Sequence, residues 1–172
     1  MRIFIGLMTL LLLLSGCSSK TEDSLIDRFE KNKTAYRHLQ KTEKVQLYDH
    51  NVTKAFLTAT YLYPSGTKLG KEKTEEQFVV GIYLEEEPSN RLGKAYRLTL
   101  DGNKPKSIQP LGKESPYLEG LPFVTEWNSY YLVTFPYTPC QRFSVTFESS
   151  NYGKKEMSFS KVAKYVEDNK AI

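Results

Sequence analysis

The chain lacks most of the residues on which metal proteins and many enzymes depend. Of its 172 residues, two are cysteine, two are histidine and one is tryptophan. Neither His38 nor His50 has another ligand-type residue at metal-binding spacing, and no zinc, phosphate-loop or nucleophile-elbow motif occurs. We therefore expect no metal and no cofactor, and the sequence favours a protein that is not an enzyme.

Long apolar runs and a strong charge of one sign are also absent. The apolar run at residues 3–14 is too short for a permanent membrane-spanning helix. With 24 Lys and Arg against 20 Asp and Glu, the net charge of +4 does not indicate binding to nucleic acid.

What the chain does have is an export signal at its start. Met1 and Arg2 supply a positive charge, the apolar run follows, and Ser15 and Gly16 are the small residues that precede a cleavage point. The ending Leu14-Ser15-Gly16-Cys17 resembles the lipobox of bacterial lipoproteins. The resemblance implies that residues 1–16 are removed as a signal peptide and that Cys17 carries a diacylglycerol, with a further acyl group such as palmitate on its amine.

A lipid anchor has consequences for location. Two or more acyl chains hold a protein stably at a membrane. By the same resemblance, Ser18 after the cysteine favours the outer membrane, facing the periplasm, over the inner membrane. The alternative is an ordinary secretory signal or an uncleaved anchor. With Cys17 lipidated, we expect Cys140 to be a small buried or loop residue, and an intermolecular disulfide or a reactive thiol is its alternative.

The rest of the chain divides by its hydrophobic period. A lipidated tether at residues 17–23 precedes an amphipathic helix predicted at 24–41, where Leu25, Phe29, Tyr36 and Leu39 share one face. The period then changes to two, which predicts a β domain over residues 42–167 and a tail at 168–172. Strands are expected at 45–48, 54–63, 78–84, 96–100, 124–127, 130–135 and 141–149, with a return strand at Ile108 and a last strand at Met157 and Phe159; residues 67–77 are expected to form a charged loop.

Strands separated by turns rather than helices indicate a single antiparallel β-sandwich, immunoglobulin-like in one version, with a barrel as the alternative. One stretch concentrates the aromatic residues, and it contains Phe123, Trp127, Tyr130, Tyr131, Phe135 and Tyr137. Since alternate strand residues face opposite sides, Tyr130 and Leu132 should share one face, and Tyr131, Val133 and Phe135 the other. We take Trp127, Tyr131 and Tyr137 as candidate contacts for a partner or ligand, with core packing as the alternative.

Two N-x-T sequences are candidate N-glycosylation sites, at Asn51 and Asn32. Each has an acidic residue two positions earlier, and this longer pattern resembles the acceptor sequence of the Campylobacter-type periplasmic system. Asn51 lies in a predicted turn and is the better acceptor.

These features favour a lipid-anchored envelope protein of non-enzymatic type. Its β domain is expected to bind an envelope protein partner or to support envelope assembly. Two alternatives stay open: a lipoprotein that binds a small ligand such as a glycan or lipid, and an envelope hydrolase that uses two carboxylates.

Overall fold

The structure, a computed structural model, describes residues 33–62, 74–86, 92 and 95–161. From Ala35 onward they belong to one compact unit. The elements among these residues are α1 (Lys33–Gln40), β1 (Thr42–Asp49), β2 (Val52–Tyr61), β3 (Glu76–Leu84), β4 (Tyr96–Leu100), β5 (Ser107–Leu111), a 3-10 helix (Pro116–Leu118), β6 (Ser129–Phe135), β7 (Arg142–Ser149) and β8 (Gly153–Ser160).

The strands form two antiparallel sheets with the orders β1-β2-β3-β6-β5 and β4-β7-β8. No hydrogen-bonded strand pair joins the sheets in the described part of the chain, so the domain is a sandwich and not a barrel. Strands β2 to β8 follow the order of immunoglobulin constant-type domains, in which strands one, two, five and four form one sheet and three, six and seven the other. The predicted antiparallel sandwich is confirmed, and β1 is an added edge strand beside β2.

The core lies between the sheets and follows the alternation predicted from the sequence. In β7, Phe143, Val145 and Phe147 are buried, and their neighbours are more exposed. In antibody domains a disulfide joins the second and sixth strands of this order. Here those strands, β3 and β7, carry Phe78 and Phe143, whose ring centroids lie 6.2 Å apart at 90°. Aromatic packing therefore connects the two sheets, and each fully buried ring contributes about 1.5–3 kcal/mol.

One end of the core holds a buried carboxylate. Glu76, assigned from sequence to a charged loop, begins β3 and is 2% exposed. Its Oε2 accepts a hydrogen bond from the Tyr61 hydroxyl at 2.5 Å, and its Oε1 accepts from the Thr138 amide at 3.1 Å and from Lys161 Nζ at 2.6 Å. The Lys161 ammonium also donates to the Thr138 carbonyl and lies 4.6 Å from the Tyr137 ring centroid. The loop prediction was wrong for Glu76 because partners distant in sequence satisfy its charge.

Two further strand predictions were wrong. Residues 124–127 form no strand, because Phe123 has φ +62° and the backbone of Thr125 is hydrogen-bonded to the Tyr130 hydroxyl instead of to a neighbouring strand. Ile108 does lie on a strand, but that strand does not return along β4. After the Asp101-Gly102 turn the chain crosses to the other sheet, where Ile108 is paired with Val133 of β6.

The start of the chain is described only from residue 33. Helix α1 covers Lys33–Gln40, and residues 24–32 of the predicted helix lie outside the described residues. The signal peptide, the tether, Cys17, Asn32 and the tail at 168–172 lie outside them as well. Within the described ranges, no helix is long and apolar enough to cross a membrane.

Candidate interaction surface

The loop of residues 112–128, which we call the cover loop, packs on the outer face of the larger sheet. Leu118 is 7% exposed and packs with Val79 and Tyr130, which point away from the core. Leu62, Leu111 and Leu121 complete this second apolar cluster. The cover loop is therefore held by its own buried side chains.

Tyr130 fixes the far end of the cover loop. Its hydroxyl accepts a hydrogen bond from the Thr125 amide at 2.6 Å and donates to the Thr125 carbonyl at 3.2 Å. Its ring lies so close to Gly81 that a Cβ there would stand 2.7 Å from Tyr130 Cε1. Glycine in β3 thus makes room for the ring that anchors the cover loop.

Two contacts join the cover loop to the N-terminal part of the domain. His38 Nδ1 on α1 lies 3.2 Å from the Gly120 carbonyl oxygen, and it donates a hydrogen bond there in the tautomer protonated at Nδ1. Lys44 Nζ on β1 lies 5.1 Å from the centroid of the Phe123 ring, within the range of a cation–π interaction. The cover loop therefore extends across the sheet from β6 to β1.

Besides Tyr117, the cover loop exposes three large apolar side chains, which lie near one another in sequence. Trp127 is 76% exposed, Phe123 is 44% exposed and Val124 is 43% exposed. We call these three residues the aromatic platform. Because the backbone on both sides is held by packing and hydrogen bonds, the platform has little conformational entropy to lose on binding.

Two features of the platform have an energetic cost for the folded domain. Phe123 has φ +62°, a conformation that costs a residue with a Cβ about 1–2 kcal/mol. Asn128, next to Trp127, is 8% exposed, and its Nδ2 has no hydrogen-bond partner among the described residues. Strained and unsatisfied groups of this kind concentrate at functional sites.

A groove of about 390 Å³ lies beside the platform at the edge formed by β1. It is lined by Lys44, Val45, Gln46, Tyr48, Phe56 and Lys155, and we call it the lysine groove. Tyr48, 47% exposed, donates a hydrogen bond from its hydroxyl to Gln46 Oε1. Since Lys44 touches Phe123 and also lines the groove, the groove and the aromatic platform adjoin.

The structure separates the three predicted contact residues. Trp127 is exposed on the cover loop, whereas Tyr131 is 9% exposed and belongs to the core with Val133 and Phe135. The predicted division of the β6 side chains is confirmed, and it removes Tyr131 from any outer surface. Tyr137 is 37% exposed and contacts Lys161 at the Glu76 end of the domain. Of the three, Trp127 alone lies on the aromatic platform.

The candidate modification site and the cysteine are both accessible. Asn51 is exposed in the two-residue turn between β1 and β2, where His50 has φ +54°. Cys140 is an exposed free cysteine in the β6–β7 connection.

The described titratable groups include one buried carboxylate, Glu76, and both of its oxygens already accept hydrogen bonds. No group of three or more His, Cys, Asp or Glu residues in the described ranges is arranged to hold a metal ion.

Two sets of surface groups have shifted acidities. Partial burial, and then the Arg37 charge, lower the pKa of Lys41 to about 8. Glu86 accepts hydrogen bonds from the Tyr152 hydroxyl at 2.6 Å and from Lys54 Nζ at 3.0 Å, and both lower its pKa. The hydrogen bond between Tyr152 and Glu86 also raises the pKa of Tyr152 to about 12. Through these two hydrogen bonds, Glu86 links Lys54 on β2 to Tyr152 in the β7–β8 turn.

Comparison with protein-family models, with curated proteins and with solved structures gave no match.

Sequence reasoning missed the lysine groove and the exposure of Phe123 and Val124. The groove depends on strands distant in sequence, since Lys44 and Lys155 belong to β1 and β8. The alternation of Lys44, Gln46 and Tyr48 along β1 was the one sequence signal for a shared outer face.

Proposed function

We propose that this protein is a lipid-anchored binding protein of the bacterial cell envelope, and that its aromatic platform contacts a protein partner. The observation that carries the proposal is Trp127, 76% exposed on a loop that packing and hydrogen bonds hold in place. Tryptophan is the residue type most enriched among the energetic centres of protein interfaces. A single large exposed aromatic is ordinary, but one that precedes a buried unsatisfied Asn128 and shares its loop with a strained Phe123 is not.

The anchor is part of the same proposal. The lipobox resemblance at Cys17 supports acylation there, and Ser18 supports an outer-membrane location facing the periplasm. A domain tethered through Cys17 meets a partner in the same membrane at a raised effective concentration. A platform of modest intrinsic affinity is then sufficient for a lasting complex.

The other two functions expected from the sequence have less support. A small ligand held inside the sandwich would need an internal cavity, and the interior is filled by rings such as Phe78, Phe135 and Phe147, each fully buried. A hydrolase would need two converging carboxylates in a cleft. The buried Glu76 is paired with Lys161, and the two carboxylates that do converge, Glu85 and Glu86, are exposed and share the Lys54 ammonium. We therefore propose neither.

The test compares partner capture by two variants of the full-length lipidated protein. The wild type, Trp127→Ala and Ile108→Ala are each affinity-purified from cross-linked envelopes, and the co-purified proteins are quantified by mass spectrometry. Ile108 is a matched control because it is 40% exposed on β5, at the edge of the sheet opposite β1.

We expect one stoichiometric partner with the wild type and with Ile108→Ala, and a loss of about 30-fold with Trp127→Ala, which corresponds to an interface centre of about 2 kcal/mol. Equal capture by Trp127→Ala and Ile108→Ala, with both variants folded, would reject the platform as the contact.

A further inference from the structure

The lysine groove carries two positive charges that the folded domain does not neutralise. Within the described residues, neither Lys44 nor Lys155 forms an ion pair with a carboxylate. Four other cations of the domain are paired: Lys54 with Glu85 and Glu86, Arg97 with Glu148, Lys106 with Glu75, and Lys161 with Glu76. Lys44 and Lys155 differ from the other unpaired lysines in that both line one groove that has no carboxylate in its lining. The groove is therefore a site of positive potential suited to an anionic group.

The lining of the groove also includes apolar and aromatic side chains. Phe56 and Val45 are half-buried, and Tyr48 is 47% exposed. Its volume of about 390 Å³ is near the lower end of the range for sites that hold small molecules. An occupant should thus bring one apolar side chain together with a negative charge.

The hydrogen-bonding groups favour a peptide over a sugar. A sugar presents many hydroxyl groups, each of which needs an acceptor as well as a donor. The groove has no carboxylate in its lining, and Gln46 Oε1 already accepts from the Tyr48 hydroxyl. Two lysine ammonium groups are donors only, which matches the acceptor-only oxygens of Asp and Glu.

We propose that the lysine groove binds an acidic segment of the partner protein, with a carboxylate between Lys44 and Lys155 and a neighbouring apolar side chain on Phe56 and Tyr48. This inference rests on the proposed function and specifies the partner that the platform contacts. The cation–π contact between Lys44 and Phe123 makes the groove and the platform one continuous surface. The cover loop itself carries three glutamates against one lysine, so the partner segment should change from acidic at the groove to neutral or basic beyond it.

The test uses defined probes and needs no identified partner. The blocked tripeptides Glu-Leu-Glu and Gln-Leu-Gln are titrated into the isotope-labelled full-length protein in detergent, and backbone and side-chain shifts are followed by NMR. The same titration is made with Lys44→Gln/Lys155→Gln and with the control Lys104→Gln/Lys106→Gln, which removes equal charge near β5.

We expect Glu-Leu-Glu to shift the signals of Lys44, Tyr48 and Lys155, and to bind at least tenfold more tightly than Gln-Leu-Gln. The groove variant should lose this binding at least tenfold, and the control should keep it. Equal binding of the two peptides, or equal loss in both double variants, would overturn the proposal. So would preferential binding at the same residues by tetragalacturonate or by vesicles of anionic lipid.

The result is separable from that of the proposed function. Peptide binding is measured on the free protein, whereas the platform is tested by partner capture with Trp127→Ala. Loss of capture with Trp127→Ala together with failure of the peptide titration would leave the platform standing and remove the groove.

Discussion

The buried pair of Glu76 and Lys161 gives the sharpest prediction about stability. Glu76→Gln keeps the size of the side chain but removes the charge that faces the Lys161 ammonium at 2.6 Å. The side chains of Lys161 and Glu76 are only 10% and 3% exposed, so water cannot solvate the Lys161 ammonium once its partner charge is removed. Removing one partner of a buried pair costs about 3–5 kcal/mol. That is a large part of the total stability of about 5–15 kcal/mol expected for a domain.

The domain contains a control pair of the same length. Lys106 Nζ and Glu75 Oε1 also lie 2.6 Å apart, but the side chains are 55% and 48% exposed. Solvent screens such a pair, and its loss costs about 1 kcal/mol or less. Comparison of Glu76→Gln with Glu75→Gln therefore holds distance and residue type constant, and it contrasts a buried carboxylate that also accepts from Tyr61 and Thr138 with an exposed one.

The assay is urea denaturation of the mature chain carrying Cys17→Ser, followed by circular dichroism. We expect Glu76→Gln to lower the free energy of unfolding by about 3 kcal/mol or more and Glu75→Gln by about 1 kcal/mol or less. In a cycle with Lys161→Met, the double variant should lose less than the sum of the single losses. Equal losses for Glu76→Gln and Glu75→Gln would refute the reasoning that burial sets the cost.

Three further predictions concern the outer face and the helix end. Gly81→Ala should lower the free energy of unfolding by about 1–3 kcal/mol in urea denaturation, because the new Cβ would lie 2.7 Å from Tyr130 Cε1; an unchanged midpoint would contradict the close packing. Phe123→Gly should be about 1 kcal/mol more stable than Phe123→Ala in the same assay, since glycine alone adopts φ +62° without strain; the reverse order would contradict the strain. The pKa of Lys41 falls from 10.5 to about 8 on folding, so between those pH values the unfolded chain binds more protons and stability should rise with pH. Lys41→Met should remove this rise and stabilise the domain at pH 7 by on the order of 1 kcal/mol, allowing for solvent screening; stability curves parallel to wild type from pH 7 to 10 would refute it.

The sequence predicted those parts of the fold that depend on local alternation. Phe143, Val145 and Phe147 lie on one face of β7 as expected, and Tyr130 and Tyr131 lie on opposite faces of β6. Alternation is a backbone property and needs no knowledge of distant residues. It fixes which side chains share a face, but not which face is buried.

The errors arose where distant residues decide the structure. Glu76 became buried because Tyr61, Thr138 and Lys161 supply donors from three other segments. Ile108 lies in the larger sheet because β5 pairs with β6, a strand that follows it in the chain after the cover loop. Neither outcome is encoded in the local pattern of charge or hydrophobicity.

The sequence alone did not separate the three candidate contact residues, Trp127, Tyr131 and Tyr137. Trp127 is exposed on the cover loop, whereas Tyr131 lies in the core and Tyr137 contacts Lys161. Strand alternation does not apply to a loop, so it could not predict the exposure of Trp127. The positive φ of Phe123 and the contact between Phe123 and Lys44 could not be predicted from the sequence, because both depend on the folded arrangement of distant segments.

The central claim is that the aromatic platform touches a protein partner in the envelope. The most direct measurement replaces Trp127 with the photo-cross-linking residue p-benzoylphenylalanine in living cells and identifies the cross-linked product, with the same replacement at Ile108 for comparison. We expect one discrete protein adduct at position 127 and none at position 108. Adducts at position 127 that contain only lipid, or the same proteins at both positions, would contradict it.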